Sequence, residues 1–526
     1  MYQLYLLWVV DMAQQGIDLF GKYLEIVSID PYEVLKSIPA PIKGPFKPSW
    51  ESLKSYRVPK WFIDSKLGIF IHWGVYSVPA FGSEWYPRHM YMSDRPEYQF
   101  HVKSFGPLTE FGYKDFIPMF SAGNWDPDEW ARIFEKSGAR FVVLVAEHHD
   151  GFALWDSSYT RWCAARIGPK RDIVRELKES VESRGLIFGV SYHRAEHWFF
   201  FEPGMRIDSD VRDPKYFDLY GPAKPASLDP RTPPGPDNIY PDKEFLMDWL
   251  LRLVEVVERY RPWLVYFDWW IANPVFEPYL KAFAAYYYNR CYRWGVEPVI
   301  VYKHKAFKEG TAIPDIERGT VKEIQRYPWV ADTSIDYRSW GYIKDAEYKP
   351  VEVVIQHMVD VISKNGVLLL NVGPKPDGTI PEEAKKILLN IGSWLEVHGE
   401  AIYGSQPWKI FGEGPTKLVE EGFFIEKKLV FTEEDVRYTV KKAYPIGEII
   451  YATMLGKAKD RIVLKAISKS INIVDGDIIH VDILGSKEKI EWIYTDEGLE
   501  VRVPLQKIER YPYTIRIFVK KALKID

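Results

Sequence analysis

Polar residues that can bind or react follow several apolar runs of this sequence. They are His72-Trp73-Gly74, Glu147-His148-His149-Asp150-Gly151, Tyr192-His193 and Asp268-Trp269-Trp270, with Glu84-Trp85-Tyr86 shortly after the first run. Each residue alone is more often structural than functional. Neighbours such as His148 and His149 point to opposite faces of a strand, so we expect at most one of them to face a pocket. Four polar clusters at successive run ends together favour a functional site.

Metal-assisted hydrolysis is one chemistry that such a set could perform, with His72, His148 and Asp268 as zinc ligands. The sequence has neither an HxH pair on the first run nor an HExxH segment, the spacings typical of zinc hydrolases. The residues alone therefore favour a metal site only weakly.

Glycoside hydrolysis is the other chemistry, and it needs two carboxyl groups, one as nucleophile and one as acid. Asp268 lies beside Tyr266 and two tryptophans, aromatic neighbours that suit a sugar ring. The candidate acids are Glu84 and Glu317. At this point both chemistries stay open.

The elements that must position these residues are strands and helices in alternation. The apolar runs are Leu67–His72, Phe141–His148, Leu186–His193, Leu264–Asp268, Pro298–His304 and Val367–Val372, and continuous runs are typical of parallel strands covered on both faces. Helices are predicted to begin at Asp126-Pro127 and to cover about Leu246–Arg259 and Val351–Lys364. Since there is no Gly-rich dinucleotide loop, this pattern predicts an α/β fold of the (β/α)8-like barrel type. In such a barrel, catalytic residues lie at the C-terminal ends of strands.

After about Tyr403 the pattern changes to short runs rich in β-branched residues, such as Ile449–Leu455 and Thr514–Val519. Short, closely spaced strands predict an antiparallel sandwich. We therefore divide the chain into an N-terminal extension (1–55), a barrel (56–404) and a C-terminal β-sandwich (405–526). The first 25 or so residues are expected to be disordered, and they do not have the pattern of a signal peptide.

The composition bears on partners and compartment. The chain has 526 residues, a formal net charge of -4 and no apolar stretch as long as a membrane span, so neither nucleic acid nor a membrane is expected as partner. Two cysteines exclude a disulfide framework; the expected compartment is the cytoplasm and the expected assembly a homo-oligomer. The eight Asn and eight Gln are few, which indicates a thermophilic prokaryotic source.

Six segments are specific enough to compare with known families: WFIDSKLGIFIHWGVYSVPAFGSEWY, AEHHDGFALWDS, GPKRDIVREL, VYFDWW, TSIDYRSWGY and LLLNVGPKPDGTIP. Together they resemble the α-L-fucosidases of glycoside hydrolase family twenty-nine, from about Trp61 into the C-terminal region. The resemblance implies an irregular (β/α)8-like barrel with a C-terminal antiparallel β-sandwich. It also implies hydrolysis of terminal α-L-fucose from oligosaccharides or glycoconjugates, with retention and without metal or cofactor.

The same resemblance implies roles for particular residues. It makes Asp268 the nucleophile, and it assigns fucose binding to His72, Glu84, Trp85, His148, His149, Tyr192 and Trp340. The general acid is the family's least regular position; the segment IPDIERG favours Glu317, and Glu84 is the alternative. Where the family usually reads KHHDGF, this chain has Glu147. The intact Asp268 argues against a catalytically silent fucose-binding protein.

Overall fold

The structure is a computed structural model, and it describes residues 30–37, 44–418, 420–445, 447–472, 474, 476–505 and 512–520. The predictions of disorder and of no signal peptide for the first 25 or so residues lie outside the described residues. Within the described ranges, none of the helices is long and apolar enough to cross a membrane.

Eight parallel strands form the central sheet. They are β1 (Leu67–Ile71), β2 (Phe141–Glu147), β3 (Ile187–Tyr192), β4 (Leu264–Phe267), β5 (Val299–Tyr302), β6 (Ile313–Pro314), β7 (Trp329–Ser334) and β8 (Gly366–Val372). The strand order is β6-β5-β4-β3-β2-β1-β8-β7, so consecutive strands are neighbours. A parallel bridge between Asp315 and Val330 joins the two edges, and Ile316 N donates to Val330 O at 2.9 Å. The sheet therefore curls into the predicted barrel.

Helices surround this sheet and precede it. They are α1 (Pro31–Ser37), α2 (Trp50–Leu53), α3 (Lys60–Ser65), α4 (Tyr86–His89), α5 (Pro96–Phe105), α6 (Pro127–Lys136), α7 (Ile173–Ser183), α8 (His197–Phe200), α9 (Glu202–Met205), α10 (Phe217–Tyr220), α11 (Lys243–Tyr260), α12 (Glu277–Trp294), α13 (Val351–Ser363) and α14 (Glu382–Ile402). The Asp126 carboxylate caps α6 as predicted, accepting from the N–H groups of Asp128 and Glu129. Short 3-10 turns follow several strands, including Arg194–Glu196 after β3 and Trp269–Ala272 after β4.

Alternation along each strand divides the barrel's core from the helical layer. The side chains packed together inside the barrel include Phe70, Phe141, Val143, Val145, Leu264, Tyr266, Val299, Val301, Ile313, Val330, Val367 and Leu369. The intervening residues, such as Ile69 and Val265, belong to the core beneath the helices. Because side chains alternate with period two, the next inward position on each strand lies at its C-terminal end.

The C-terminal region contains antiparallel sheets around a second apolar core, as predicted. One sheet has the order β13-β16-β11-β10-β9 and the other β12-β15-β14. The strands are β9 (Gln406–Glu413), β10 (Val436–Ala443), β11 (Gly447–Met454), β12 (Arg461–Leu464), β13 (Asp477–Ile483), β14 (Trp492–Tyr494), β15 (Leu499–Arg502) and β16 (Tyr513–Lys520). Between β9 and β10 the chain returns to the barrel, a connection that becomes important for the site.

The sequence patterns did not reveal β6 and β7. β6 has two residues, too few for any period, and β7 (WVADTS) contains polar residues that interrupt its apolar run. The predicted N-terminal extension also includes packed structure. Leu35 of α1 is fully buried, and Phe46 exchanges backbone hydrogen bonds with the Asn289 side chain at 3.0 and 2.8 Å.

Candidate active site

A polar layer lies above the apolar core of the barrel. The inward positions that follow the core residues are His72 after β1, His193 after β3, Asp268 after β4, Lys303 after β5, Asp315 and Glu317 after β6, Asp332 on β7 and Asn371 on β8. All are at least nine-tenths buried. The same alternation that builds the core therefore gathers these side chains at one end of the barrel.

Asp268 lies at the centre of this layer between cationic or hydrogen-bonding side chains. Its Oδ1 is 3.1 Å from Lys303 Nζ, and its Oδ2 is 3.3 Å from His193 Nδ1 and 3.7 Å from His149 Nε2. Burial alone would raise the pKa of Asp268, but Lys303 and the two histidines outweigh it and hold this pKa well below its usual range. The Asp268 carboxylate is therefore ionised and able to act as a nucleophile.

Glu317 shares the Lys303 ammonium with Asp268. Lys303 Nζ is 2.7 Å from Glu317 Oε2, so this oxygen and Asp268 Oδ1 are no more than about 5.8 Å apart, the sum of their distances to the nitrogen. The pKa of Glu317 is raised to about 7, chiefly by burial. Lys303 lowers this pKa, whereas the negative charges of Asp332 and Asp268 raise it further. One carboxyl of the pair is thus ionised while the other can hold a proton near neutral pH.

Two further carboxyl groups lie beneath Lys303. Its Nζ is 3.3 Å from Asp332 and 3.9 Å from Asp315, and the Tyr266 hydroxyl donates to both at 2.8 and 3.1 Å. Burial and the Asp332 carboxylate raise the pKa of Asp315 well above its usual range, so Asp315 holds its proton at neutral pH. The negative charge of Asp332 is one of the groups that raise the pKa of Glu317.

The histidines differ in charge. Burial and neighbouring histidines hold the pKa of His72 and of His148 well below its usual range, so both are neutral. His72 Nδ1 is 2.7 Å from Asn371 Oδ1, which leaves its other nitrogen for a ligand. His149 lies 3.4 Å from Glu196 and 3.7 Å from Asp268; although burial lowers its pKa, these carboxylates raise it above the ordinary value. Glu196 and Asp268 therefore favour the protonated form of His149 beside the nucleophile.

Both His148 and His149 belong to this layer, so the prediction that at most one would face the pocket is wrong. Their rings are 4.0 Å apart, and the His148 ring lies 5.7 Å from His72 while His149 reaches Asp268. The physical reason is that β2 ends at Glu147, after a register shift between Val145 and Glu147. Strand alternation does not apply beyond that point.

Glu84 occupies a different part of the pocket wall. Its Oε2 accepts hydrogen bonds from the Trp340 backbone N–H at 2.9 Å and from the Ser339 hydroxyl at 3.1 Å. The Trp340 ring lies 5.2 Å from His72, and the Trp85 ring lies 5.2 Å from His149. Glu84, Trp85 and Trp340 therefore line the pocket with the histidines, whereas Glu317 shares Lys303 with Asp268.

Tyr192 does not join the cluster, contrary to its assignment to fucose binding. It points into the helical layer, where its hydroxyl donates to Trp249 O at 3.1 Å, because Ser191 and His193 take the inward positions of β3. His193 instead contacts Asp268 at 3.3 Å. Glu147 also points outward and pairs with Arg194 at 2.6 Å.

Lys303 is the main residue that sequence reasoning missed. It belonged to a predicted strand, but a lysine at a strand end resembles an ordinary surface residue. The available signal was its spacing, since Val299, Val301 and Lys303 are alternate residues of one inward face. The same spacing extends from Leu264 and Tyr266 to Asp268.

The layer also has atoms that could hold a metal ion. Among the described residues, two groups have ligand atoms within 4.8 Å of one another: His72, His148 and His193, and His149, His193 and Asp268. Three imidazoles at this spacing could bind Zn²⁺. Metal independence therefore stays a prediction.

A parallel barrel that presents two close carboxyl groups at the C-terminal ends of its strands has the architecture and the site of a glycoside hydrolase. Comparison with known proteins gives the family: residues 34–400 match the α-L-fucosidase family, and the chain belongs to it. It is an α-L-fucosidase that hydrolyses fucosides, and fucosylated glycans fit as its substrates.

Relatives cover most of the chain. Human plasma α-L-fucosidase is 31% identical over 481 residues, which cover 89% of this chain and 90% of the human protein. Human tissue α-L-fucosidase is 34% identical over 390 residues, covering 71% and 75%. The α-fucosidase of Thermotoga maritima, solved in complex with a mechanism-based inhibitor, is 30% identical with a TM-score of 0.70, covering 90% of this chain and 100% of that one. The thermophilic source, the cytoplasmic location and the homo-oligomer stay predictions.

Proposed function

We propose that the chain cleaves α-L-fucosides with retention by double displacement, with Asp268 as nucleophile and Glu317 as general acid and base. The observation that carries this proposal is the separation of their carboxyl oxygens, no more than about 5.8 Å across Lys303. Retaining glycosidases place their two carboxyl groups about 5–5.5 Å apart, whereas inverting enzymes need roughly 6.5–9.5 Å to admit a water.

In the first step, Asp268 attacks the anomeric carbon while Glu317 donates its proton to the departing oxygen. Lys303 and the two histidines beside it keep Asp268 ionised, and burial keeps Glu317 protonated near neutral pH. The products are a covalent fucosyl-enzyme and the released alcohol.

In the second step, Glu317 takes a proton from water, which attacks the same carbon and releases Asp268. Formation of the ester removes the negative charge of Asp268, one of the groups that raise the pKa of Glu317. The pKa of Glu317 therefore falls in the intermediate, as a general base requires.

Glu84 is supported less well as the acid. It accepts two hydrogen bonds from the 339–340 segment, and none of its described hydrogen bonds or ion pairs reaches Asp268 or Lys303. Its place beside the Trp340 backbone suits a contact to a fucose hydroxyl.

Leaving-group dependence tests the assignment. In Glu317→Ala, kcat/KM for fucosides with poor leaving groups should fall about a hundredfold or more, and activated aryl fucosides should lose far less. The matched variant Glu84→Ala should weaken both substrate types alike. The reverse pattern would transfer the acid role to Glu84.

A further inference from the structure

A segment beyond the barrel pairs with the turn that carries Glu317. Phe424 N donates to Glu317 O at 2.8 Å, and Gly422 N donates to Thr320 O at 3.0 Å. The two backbone segments approach so closely that a Cβ on Gly319 would lie 1.9 Å from Gly422 O. Residues 422–424 thus form a second backbone layer at the rim of the barrel, where β6 ends, one hydrogen bond away from the residue proposed as the acid.

Aromatic rings of this segment lie at the rim. The Phe423 ring stacks on the exposed His304 ring at 4.6 Å with an interplanar angle of 4°, and His304 directly follows Lys303. Phe424 is 63% exposed. Phe424 therefore belongs to the segment whose backbone is bonded to Glu317, and Phe423 packs on the residue that follows Lys303.

The backbone at this rim is in an unusual conformation. Phe424 has φ +57°, and His304 and Lys305 have φ +52° and +61°, all in the left-handed region that bulky residues avoid. Such conformations cluster at functional sites, where the surroundings hold them.

Buried charges hold the segment in place. Glu426 pairs with Lys349 at 2.7 Å and with Arg318, the residue after Glu317, at 3.1 Å. Against the effect of burial, Lys349, His357 and Arg318 lower the pKa of Glu426 to about 2. An anchored segment can present its aromatic rings without first ordering them, which lowers the entropic cost of binding.

We propose that Phe424, with the Phe423–His304 stack, forms the binding subsite for the sugar to which fucose is attached. The inference rests on the proposed role of Glu317: the acid must lie within hydrogen-bond reach of the departing oxygen, so the departing sugar lies next to Glu317. An exposed aromatic ring there covers the apolar face of a pyranose.

Two substrates that differ only in the departing group test this subsite. α-L-Fucosyl fluoride has no second sugar, whereas an α-1,2-linked fucosyl-galactoside places galactose next to Glu317. In Phe424→Ala, kcat/KM for the fucosyl-galactoside should fall about threefold to tenfold, and kcat/KM for the fluoride and the inhibition constant of free fucose should stay at native values. Phe423→Ala should act in the same direction.

The matched control is Tyr292→Ala, since Tyr292 is 70% exposed on α12, near the end remote from the pocket, and should change neither substrate. Native kcat/KM for the fucosyl-galactoside in Phe424→Ala, or an equal loss on both substrates, would overturn the subsite. Failure of the acid assignment is seen separately. In that case Glu317→Ala would lose the same fraction of kcat/KM on poor and on activated leaving groups, while the native enzyme still cleaves both substrates.

Discussion

Replacing Asp332 by Asn should lower the pKa of Glu317 and move the basic limb of activity to lower pH. Asp332 and Glu317 lie 3.3 and 2.7 Å from Lys303 Nζ, so their nearest oxygens are no more than about 6.0 Å apart. At that separation and an effective dielectric constant of about 20, two unit charges repel by about 2.8 kcal/mol, or about two pKa units.

The sign follows from the proton that Glu317 must hold. Asp332→Asn removes a negative charge that favours protonated Glu317, so its pKa should fall from about 7 to about 5. Burial is the first cause of the raised pKa of Asp315 and persists in the variant, so that carboxyl should stay neutral. The active acid form is then lost at lower pH.

The assay is the pH dependence of kcat/KM with an α-L-fucoside of poor leaving group, which reports the acid in the free enzyme. α-L-Fucosyl fluoride needs no proton from the enzyme, so its profile identifies the limb that belongs to Glu317. Asp315→Asn is the matched control: it replaces a neutral carboxyl by a neutral amide and should leave the limb within about half a unit. An unmoved limb in Asp332→Asn, or equal shifts in both variants, would refute the reasoning.

Three further outcomes are expected. Asp268→Gly should be almost inactive on aryl fucosides and regain turnover with azide, giving β-fucosyl azide by a single inversion; near-native activity or an α-azide would remove Asp268 from its role. Dialysis against a chelator should leave activity unchanged, and a loss that zinc restores would establish a metal enzyme. Arg437→Ala should lower the free energy of unfolding by about 3 kcal/mol, because it removes a buried partner 2.6 Å from Asp360, which is fully buried. Urea unfolding measures this change. The control is Arg502→Ala, whose pair with Glu491 is exposed and which should change the free energy of unfolding by less than about 1 kcal/mol. Equal losses in the two variants would contradict the expectation that the buried pair contributes more than the exposed one.

Much of the barrel could be predicted because its strands are continuous apolar runs and their polar ends are adjacent in sequence. His72 and Asp268 each follow such a run, and parallel strands place these ends together. What could not be predicted depends on contacts between distant residues. Nothing near Asp332 in the sequence indicates that Lys303 lies 3.3 Å away, and the two-residue strand before Asp315 has no period to detect.

Side-chain direction was the other limit. Tyr192 and His193 are neighbours, and only the inward phase of β3 decides which of them reaches Asp268. Resemblance to a family assigned the tyrosine, whereas counting alternate residues from Gly189 through Ser191 leads to the histidine.

The anchoring of Glu426 has a consequence for how such enzymes can be recombined. A barrel cut at about residue 405 would lose the counter-ion of Lys349 and Arg318 together with the hydrogen bond from Phe424 to Glu317. Exchanging the sandwich between relatives would exchange the backbone support of the acid as well. The barrel and the segment up to Glu426 should therefore be inherited and engineered as one unit, with crossover points placed after Glu426.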